Sequence, residues 1–203
     1  MIKQLTSIIF LLLSNITILN AQQYISIGPA VGIGHSNLTN TNIDKTFNPV
    51  FSAGLSGIYA KHEHWGFGAD IMYSKEGAKF DIVNTDPYTY VLDYLRINPK
   101  VYYFFGSYKS TIRPKVFVGP SIGINLGEKN NAPIQTLPHY PTKGLDLGIF
   151  LGGGVNFRIK SNIWLNTDIN FYQGFLDATN YINDANLNQK IQLQVGVLFG
   201  LGK

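Results

Sequence analysis

The sequence predicts an all-β fold: a closed eight-stranded antiparallel up-and-down transmembrane β-barrel preceded by a signal peptide. Three observations carry that expectation. Eight runs alternate apolar and polar residues, the connections between them alternate long and short, and the composition is glycine-rich, aromatic and poor in charge. Of 203 residues only 14% are charged, against about 25% in ordinary soluble domains. Glycine (21), Tyr (12) and Phe (13) are abundant, which argues against a disordered chain and against a helical bundle, where glycine is costly. The net charge of +4 is spread along the chain with no block of Lys or Arg, so no nucleic-acid partner is expected. Cysteine is absent, which removes disulfides, thiolate metal sites and thiol nucleophiles together.

The first segment, Met1–Ala21, reads as a signal peptide. Lys3 supplies the positive start, Ile8–Leu13 the apolar centre, and Ala21 the small residue before the cut. Ser14 and Asn15 interrupt the apolar run, leaving it short of the ~20 residues that a spanning helix needs. Residues 22–203 then form one domain, the barrel.

The eight alternating runs follow in order. They are Tyr24–Ser36, Val50–Ala60, Trp65–Ser74, Tyr94–Phe105, Pro114–Asn125, Leu145–Ile159, Ile163–Tyr172 and Lys190–Gly200. In the first, Ile25, Ile27, Pro29, Val31 and Ile33 share a face opposite Ser26, Gly28, Ala30, Gly32 and Gly34. The same two-sidedness repeats in each. No charge falls on any apolar face; Asp70, Arg96, Lys100, Lys115, Asp146, Arg158 and Asp168 all fall on the other. The runs exceed the ~5–6 residues of globular strands and suit a tilted membrane strand of ~9–11.

The connections Asn37–Pro49, Lys75–Asp93, Leu126–Gly144 and Gln173–Gln189 are long, whereas Lys61–His64, Gly106–Arg113 and Lys160–Asn162 are shorter. An up-and-down barrel places the two sets at opposite ends. Outer-membrane barrels have short periplasmic turns and longer extracellular loops. Phe51, Tyr59, Trp65, Tyr73, Tyr103, Phe105, Phe157, Phe171 and Phe199 lie on the apolar faces near strand ends. They are the expected lipid-interface aromatics.

A soluble lipocalin-like barrel also has eight strands and a signal peptide, but its polar face meets water. Here that face is built of small residues, among them Gly28, Gly32, Gly54, Gly68, Gly119, Gly123, Gly148, Gly152, Gly154 and Gly196. Small side chains suit a narrow interior and weaken a solvated strand without return. The charges on that face are therefore expected to form a lumen ionic network, with Trp164, Phe117, Phe150, Tyr102 and Tyr172 filling space.

Three stretches resemble the PorT-like outer-membrane β-barrel family of Bacteroidota. GADIMYSKEGAKF (Gly68–Phe80) is similar to a strand ending in Tyr-Ser-x-Lys/Glu-Gly. YLRINPKVYYFF (Tyr94–Phe105) resembles a Tyr-Leu-x-Ile-Pro run, here with Asn98 before Pro99 and Arg96 where Glu is frequent. VFVGPSIG (Val116–Gly123) is similar to a Phe-x-Gly-Pro-Ser signature. The resemblance implies an outer-membrane location and, for some members, a part in gliding or type IX secretion.

Other motifs read blandly. His62-Glu63-His64 is too few ligands for a zinc site. His35 and Ser36 are strand neighbours that face opposite ways, so no base–nucleophile pair forms. Gly152-Gly153-Gly154 and the GPAVGIG run precede no helix that could cradle phosphate. The sequence thus predicts no enzyme, no catalytic residues, no metal and no cofactor. The expected function is a structural or interaction role through long extracellular loops. Outer-membrane lipid and envelope proteins, those of a secretion system among them, are the expected partners. The alternatives are a narrow channel or transport accessory, a soluble lipocalin-like ligand-binding barrel, and a lipid-modifying enzyme.

Overall fold

The computed structural model describes residues 24–39, 45–81, 88–130, 143–178 and 186–201. The expected signal peptide, Met1–Ala21, lies outside them. Period-two alternation becomes eight long strands: β1 (Ile25–Leu38), β3 (Pro49–Tyr59), β4 (Trp65–Phe80), β5 (Tyr88–Phe104), β6 (Ile112–Asn130), β7 (Leu145–Lys160), β8 (Ile163–Asp177) and β9 (Leu187–Gly200). A two-residue strand, β2 (Lys45–Thr46), adds to them. Each long strand pairs antiparallel with its sequence neighbour, and β1 pairs with β9, closing the ring. β2 pairs with Phe80 and Lys79 at the far end of β4. Closure leaves no edge, as hydrocarbon demands.

The pleat sorts the side chains. On β9, Gln192, Gln194 and Leu198 are buried while Ile191, Leu193, Val197 and Phe199 are exposed. On β5, Arg96, Asn98, Lys100, Tyr102 and Phe104 point inward, with Pro99 and Val101 outside. Ile33 is 68% exposed, Ile169 60% and Val31 59%, whereas Asp70, Glu76, Ser74 and Asn188 are fully buried. A wall this apolar is stable only against lipid. No helix among the described residues is long and apolar enough to cross a membrane; the strands cross it.

Several strands run past their expected ends. β4 continues to Phe80, β6 to Asn130 and β8 to Asp177, while β5 begins at Tyr88 and β9 at Leu187. All these extensions are at the long-loop end. They shorten the β4–β5 connection to 81–87, no longer than 105–111 at the other end. Inside, Leu38, Ala78, Phe80, Tyr90, Leu92, Tyr94 and Ala178 form an apolar cluster that supports the extended rim.

Two local features follow from residue type. Gly119 lies where an added Cβ would come within 1.8 Å of the Pro99 carbonyl oxygen, so only glycine permits that approach. Pro99 and Pro120 also interrupt the ladder: the β5–β6 register passes from Ile97↔Ile122 to Val101↔Val118. Neither proline has an N–H to donate.

Candidate functional site: a filled, charge-balanced lumen

Parity alone dictates which polar residues meet inside; the shear of the ring decides their height. Below the rim cluster, Arg96 forms a hub. Its Nε donates to Glu76 Oε1 at 2.6 Å and its Nη2 to Glu76 Oε2 at 2.5 Å. Nη2 also donates to Asp146 Oδ2 at 2.6 Å. The guanidinium lies 3.8 Å from the Tyr172 ring and 4.8 Å from that of Tyr94. Lys190 Nζ donates to Ser74 Oγ at 2.5 Å and to Glu76 Oε1 at 3.2 Å. Asn188 Nδ2 donates to Asp146 Oδ2 at 2.9 Å.

An amide layer lies between this hub and a second group of charges. Ser52 Oγ donates to Gln192 Oε1 at 2.9 Å, Gln192 Nε2 to Gln194 Oε1 at 3.2 Å, and Gln194 Nε2 to Asp70 Oδ2 at 3.2 Å. Asp70 also accepts from Lys100 Nζ at 2.5 Å and Ser56 Oγ at 2.7 Å. Lys115 Nζ is 3.1 Å from Asp168 Oδ1 and donates to Asn166 Oδ1. Ile58, Tyr102, Phe104, Phe117, Phe150, Tyr172 and Leu198 then pack together, with Ala60 and Trp164 against them. Lys100 Nζ is 4.6 Å from the Phe117 ring centroid, so the ammonium rests on the aromatic layer as well as on its carboxylate.

Among the described residues of the lumen, four buried acids (Asp70, Glu76, Asp146, Asp168) meet four buried bases (Arg96, Lys100, Lys115, Lys190), while a fifth buried base, Arg113, lies apart at the short-turn end. Burial of an unpaired charge costs several kcal/mol; each of the four acids and the four bases they meet has an opposite partner. Glu76 and Lys190 belong to this set although the sequence reading omitted them. Lys190 has the inward parity of Gln192 and Gln194, which was a usable signal. Glu76 falls in the expected connection Lys75–Asp93, the first part of which is strand. Arg158 is a correction: it is half-buried at the short-turn end, over Trp164 at 5.7 Å, and donates to the Lys109 carbonyl at 2.5 Å. Its parity is inward, but it is too near the end of β7 to reach the buried acids. The aromatic residues Phe51, Tyr59, Trp65, Tyr73, Tyr103, Phe157, Phe171 and Phe199 occupy outward positions, and Phe105 is exposed just past β5.

The short-turn end is tied across its mouth. Arg113 is buried, lies 4.1 Å from the Phe104 ring and donates to the Glu63 carbonyl. Tyr108 OH donates to the Ala60 carbonyl. The Ser107 hydroxyl holds the Glu63 carboxyl below its ordinary 4.5, against a weaker opposing push from burial. His64 stacks on Tyr103 at 5.8 Å, and its Nδ1 is 3.0 Å from the Phe104 carbonyl. At the other end the Asn48 N–H donates to His35 Nδ1 at 3.0 Å, while Ser36 Oγ turns inward and donates to the Gly77 carbonyl at 3.0 Å. The two side chains lie on opposite sides of the wall. No group of three or more metal-ligating side chains occurs among the described residues.

Comparison with known proteins places this architecture. The crystal structure of Neisserial surface protein A (NspA) is similar with a TM-score of 0.55 at 14% identity, over 87% of this chain and 96% of that one. Ail, the attachment invasion locus protein of Yersinia pestis, has a TM-score of 0.45 at 11% identity, over 86% and 97%. The N-terminal β-barrel domain of Pseudomonas aeruginosa OprF has 0.43 at 12%, over 86% and 97%. No curated protein matches the sequence. The family described as outer membrane protein beta-barrel domain matches residues 20–180. With a closed barrel, an apolar outer wall and that match, the chain belongs to the outer membrane protein beta-barrel domain family and resides in the outer membrane.

Proposed function

We propose that this is a non-enzymatic barrel of the PorT-like branch found in Bacteroidota. It acts through its extracellular rim and loops, not through its bore, as a docking or accessory component of an envelope assembly. On this reading Met1–Ala21 is a signal peptide removed on export, both ends of the barrel domain lie in the periplasm, and the long-loop end faces outward. The observation that carries the reading is the blocked cross-section. Two apolar clusters close the lumen above and below a polar middle whose charges cancel, so what the outside meets is surface.

A second reading, a narrow channel, is favoured by one feature. Tyr102 OH, Asn170 Oδ1 and Asn188 Oδ1 are buried without a hydrogen-bond partner, and such groups commonly hold ordered water. Planar-bilayer recording of the folded, detergent-extracted protein separates the two. The docking reading expects a silent membrane, and crosslinking in whole cells through residues introduced at the rim should capture envelope proteins. Stable steps of porin size would overturn it. Small cation-selective steps abolished by Asn170→Leu, which removes one of these oxygens, would establish the channel.

A further inference from the structure

The outer wall at the long-loop end is unevenly charged. Among the described residues its outward cations are Lys75 and Lys79 on β4, Lys129 on β6, and Lys143 before β7. Lys143 is bridged to Asp177 at 3.4 Å; the other three form no ion pair with another described residue. The corresponding outward positions on β1, β8 and β9 are neutral: His35, Asn37, Gln173 and Gln189. The three lysines are neighbours by register. Lys75 opposes Asp93, Lys79 opposes Thr89, and Val91 joins Gly77, midway between the two lysines, to Lys129. With strands ~4.8 Å apart and ~3.4 Å per residue, Lys129 lies ~10 Å across from the midpoint of a Lys75–Lys79 pair ~13 Å long. Among the described residues the outward carboxylates here are Asp93, which accepts from Tyr73 OH at 2.7 Å, and Asp81 past the end of β4; Glu128 on β6 has inward parity and accepts from Tyr90 OH at 3.0 Å.

What lies below the lysines decides what they serve. Lys75 Nζ is 5.4 Å from the Phe51 ring centroid, and Phe51 packs on Tyr73 with centroids 6.0 Å apart. Tyr73 opposes Leu95, which opposes Ile124; Ile71, Ile97 and Ile122 form the next row down. Cations over aromatics over aliphatic residues, in one contiguous strip, are the order of a lipid's headgroup, interface and chains. A soluble anion would need no such strip.

We propose that the β4–β6 face is a binding site for a phosphorylated lipid of the outer leaflet. Lys75, Lys79 and Lys129 take the headgroup phosphates, and the wall from Tyr73 to Ile122 takes the acyl chains. The site fixes which side of the barrel carries a bound lipid, leaving the neutral β8–β9–β1 side for other neighbours.

Native mass spectrometry of the folded barrel released from phosphatidylcholine nanodiscs tests this, with lipid A as the phosphorylated glycolipid probe. Its phosphate-free counterpart and inorganic phosphate form separate arms. Retention of lipid A is expected to fall about five-fold for each of Lys75→Gln, Lys79→Gln and Lys129→Gln, and about a hundred-fold for the triple variant. A control triple at the opposite end, Lys61→Gln/Lys109→Gln/Lys160→Gln, is expected to retain it as the unmodified protein does. Equal retention of the phosphate-free lipid, binding of inorganic phosphate as tight as of lipid A, or equal losses in both triples would overturn the proposal. So would displacement of the lipid by an acidic peptide at equal concentration. If the triple variant fails to refold, the single changes at Lys79 and Lys129 carry the test.

Discussion

Arg96 shows how much one inward side chain can be asked to do. It holds Glu76 with two bonds, shares Asp146, and lies against two tyrosine rings. Removing it by Arg96→Ala leaves Asp146 without its cation and Glu76 with Lys190 alone, and loss of one partner from a buried pair typically costs 3–5 kcal/mol. We expect the urea midpoint for unfolding from lipid vesicles to drop accordingly. The double variant Arg96→Met/Glu76→Met is expected to recover part of the loss, because it removes one charge of each sign and leaves the balance of the bore unchanged. At the turn end the relevant group is Glu63. Its carboxyl is held below 4.5 by Ser107, so its contribution is present above that value and lost as pH falls through the lower folded one. An NMR titration should place the Glu63 midpoint below 4.5, and Ser107→Ala should move it upward.

Among the elements, β7 shows why glycine recurs on one face. A Cβ on Gly154 would meet Asp168 Oδ1 and the Thr167 carbonyl oxygen, each at 2.1 Å, whereas on Gly153 the nearest atom would be 3.4 Å away. Gly154→Ala is therefore expected to reduce the refolded, heat-modifiable fraction sharply, and Gly153→Ala to leave it unchanged. The same inward–outward contrast made the strands legible in sequence, and it also marks where legibility stopped. Past Tyr73 on β4 the outward residues are Lys75 and Lys79, and on β5 the outward Asp93 precedes Tyr94. Once the outer face leaves hydrocarbon, apolar alternation vanishes although the ladder continues. Glu76, the main partner of Arg96, lies in that unreadable part of β4. Its pairing across the bore with Arg96 depends on the shear of the closed ring, which no single strand records. Arg158 failed for the opposite reason: its face was readable, its height was not.

At the scale of the whole molecule, the barrel is an inverted globule, with its ions in the middle and its aliphatic residues outside. The two tryptophans report on that inversion separately. Trp65 is 54% exposed on the outer wall, while Trp164 packs against the inner aromatic cluster. In vesicles containing brominated phospholipid, the emission of a Trp164→Phe variant should be quenched strongly. That of a Trp65→Phe variant should be quenched weakly. Equal quenching would mean that the wall does not separate the two environments.

The facing prolines of β5 and β6 have a mechanical consequence. A barrel in lipid is held shut by its rungs, and between Ile97↔Ile122 and Val101↔Val118 this one lacks several. That gap lies at mid-wall, where no water is at hand to replace a missing bond. Here, sooner than at the junction of first and last strands, a tear should start and lipid-buried amides should trade protons for deuterons earliest. Exchange at Ile97 and Val101, whose amides face β6 on either side of the gap, running ahead of that at Ile71 and Leu55 would locate the tear line. The reverse order would put it elsewhere.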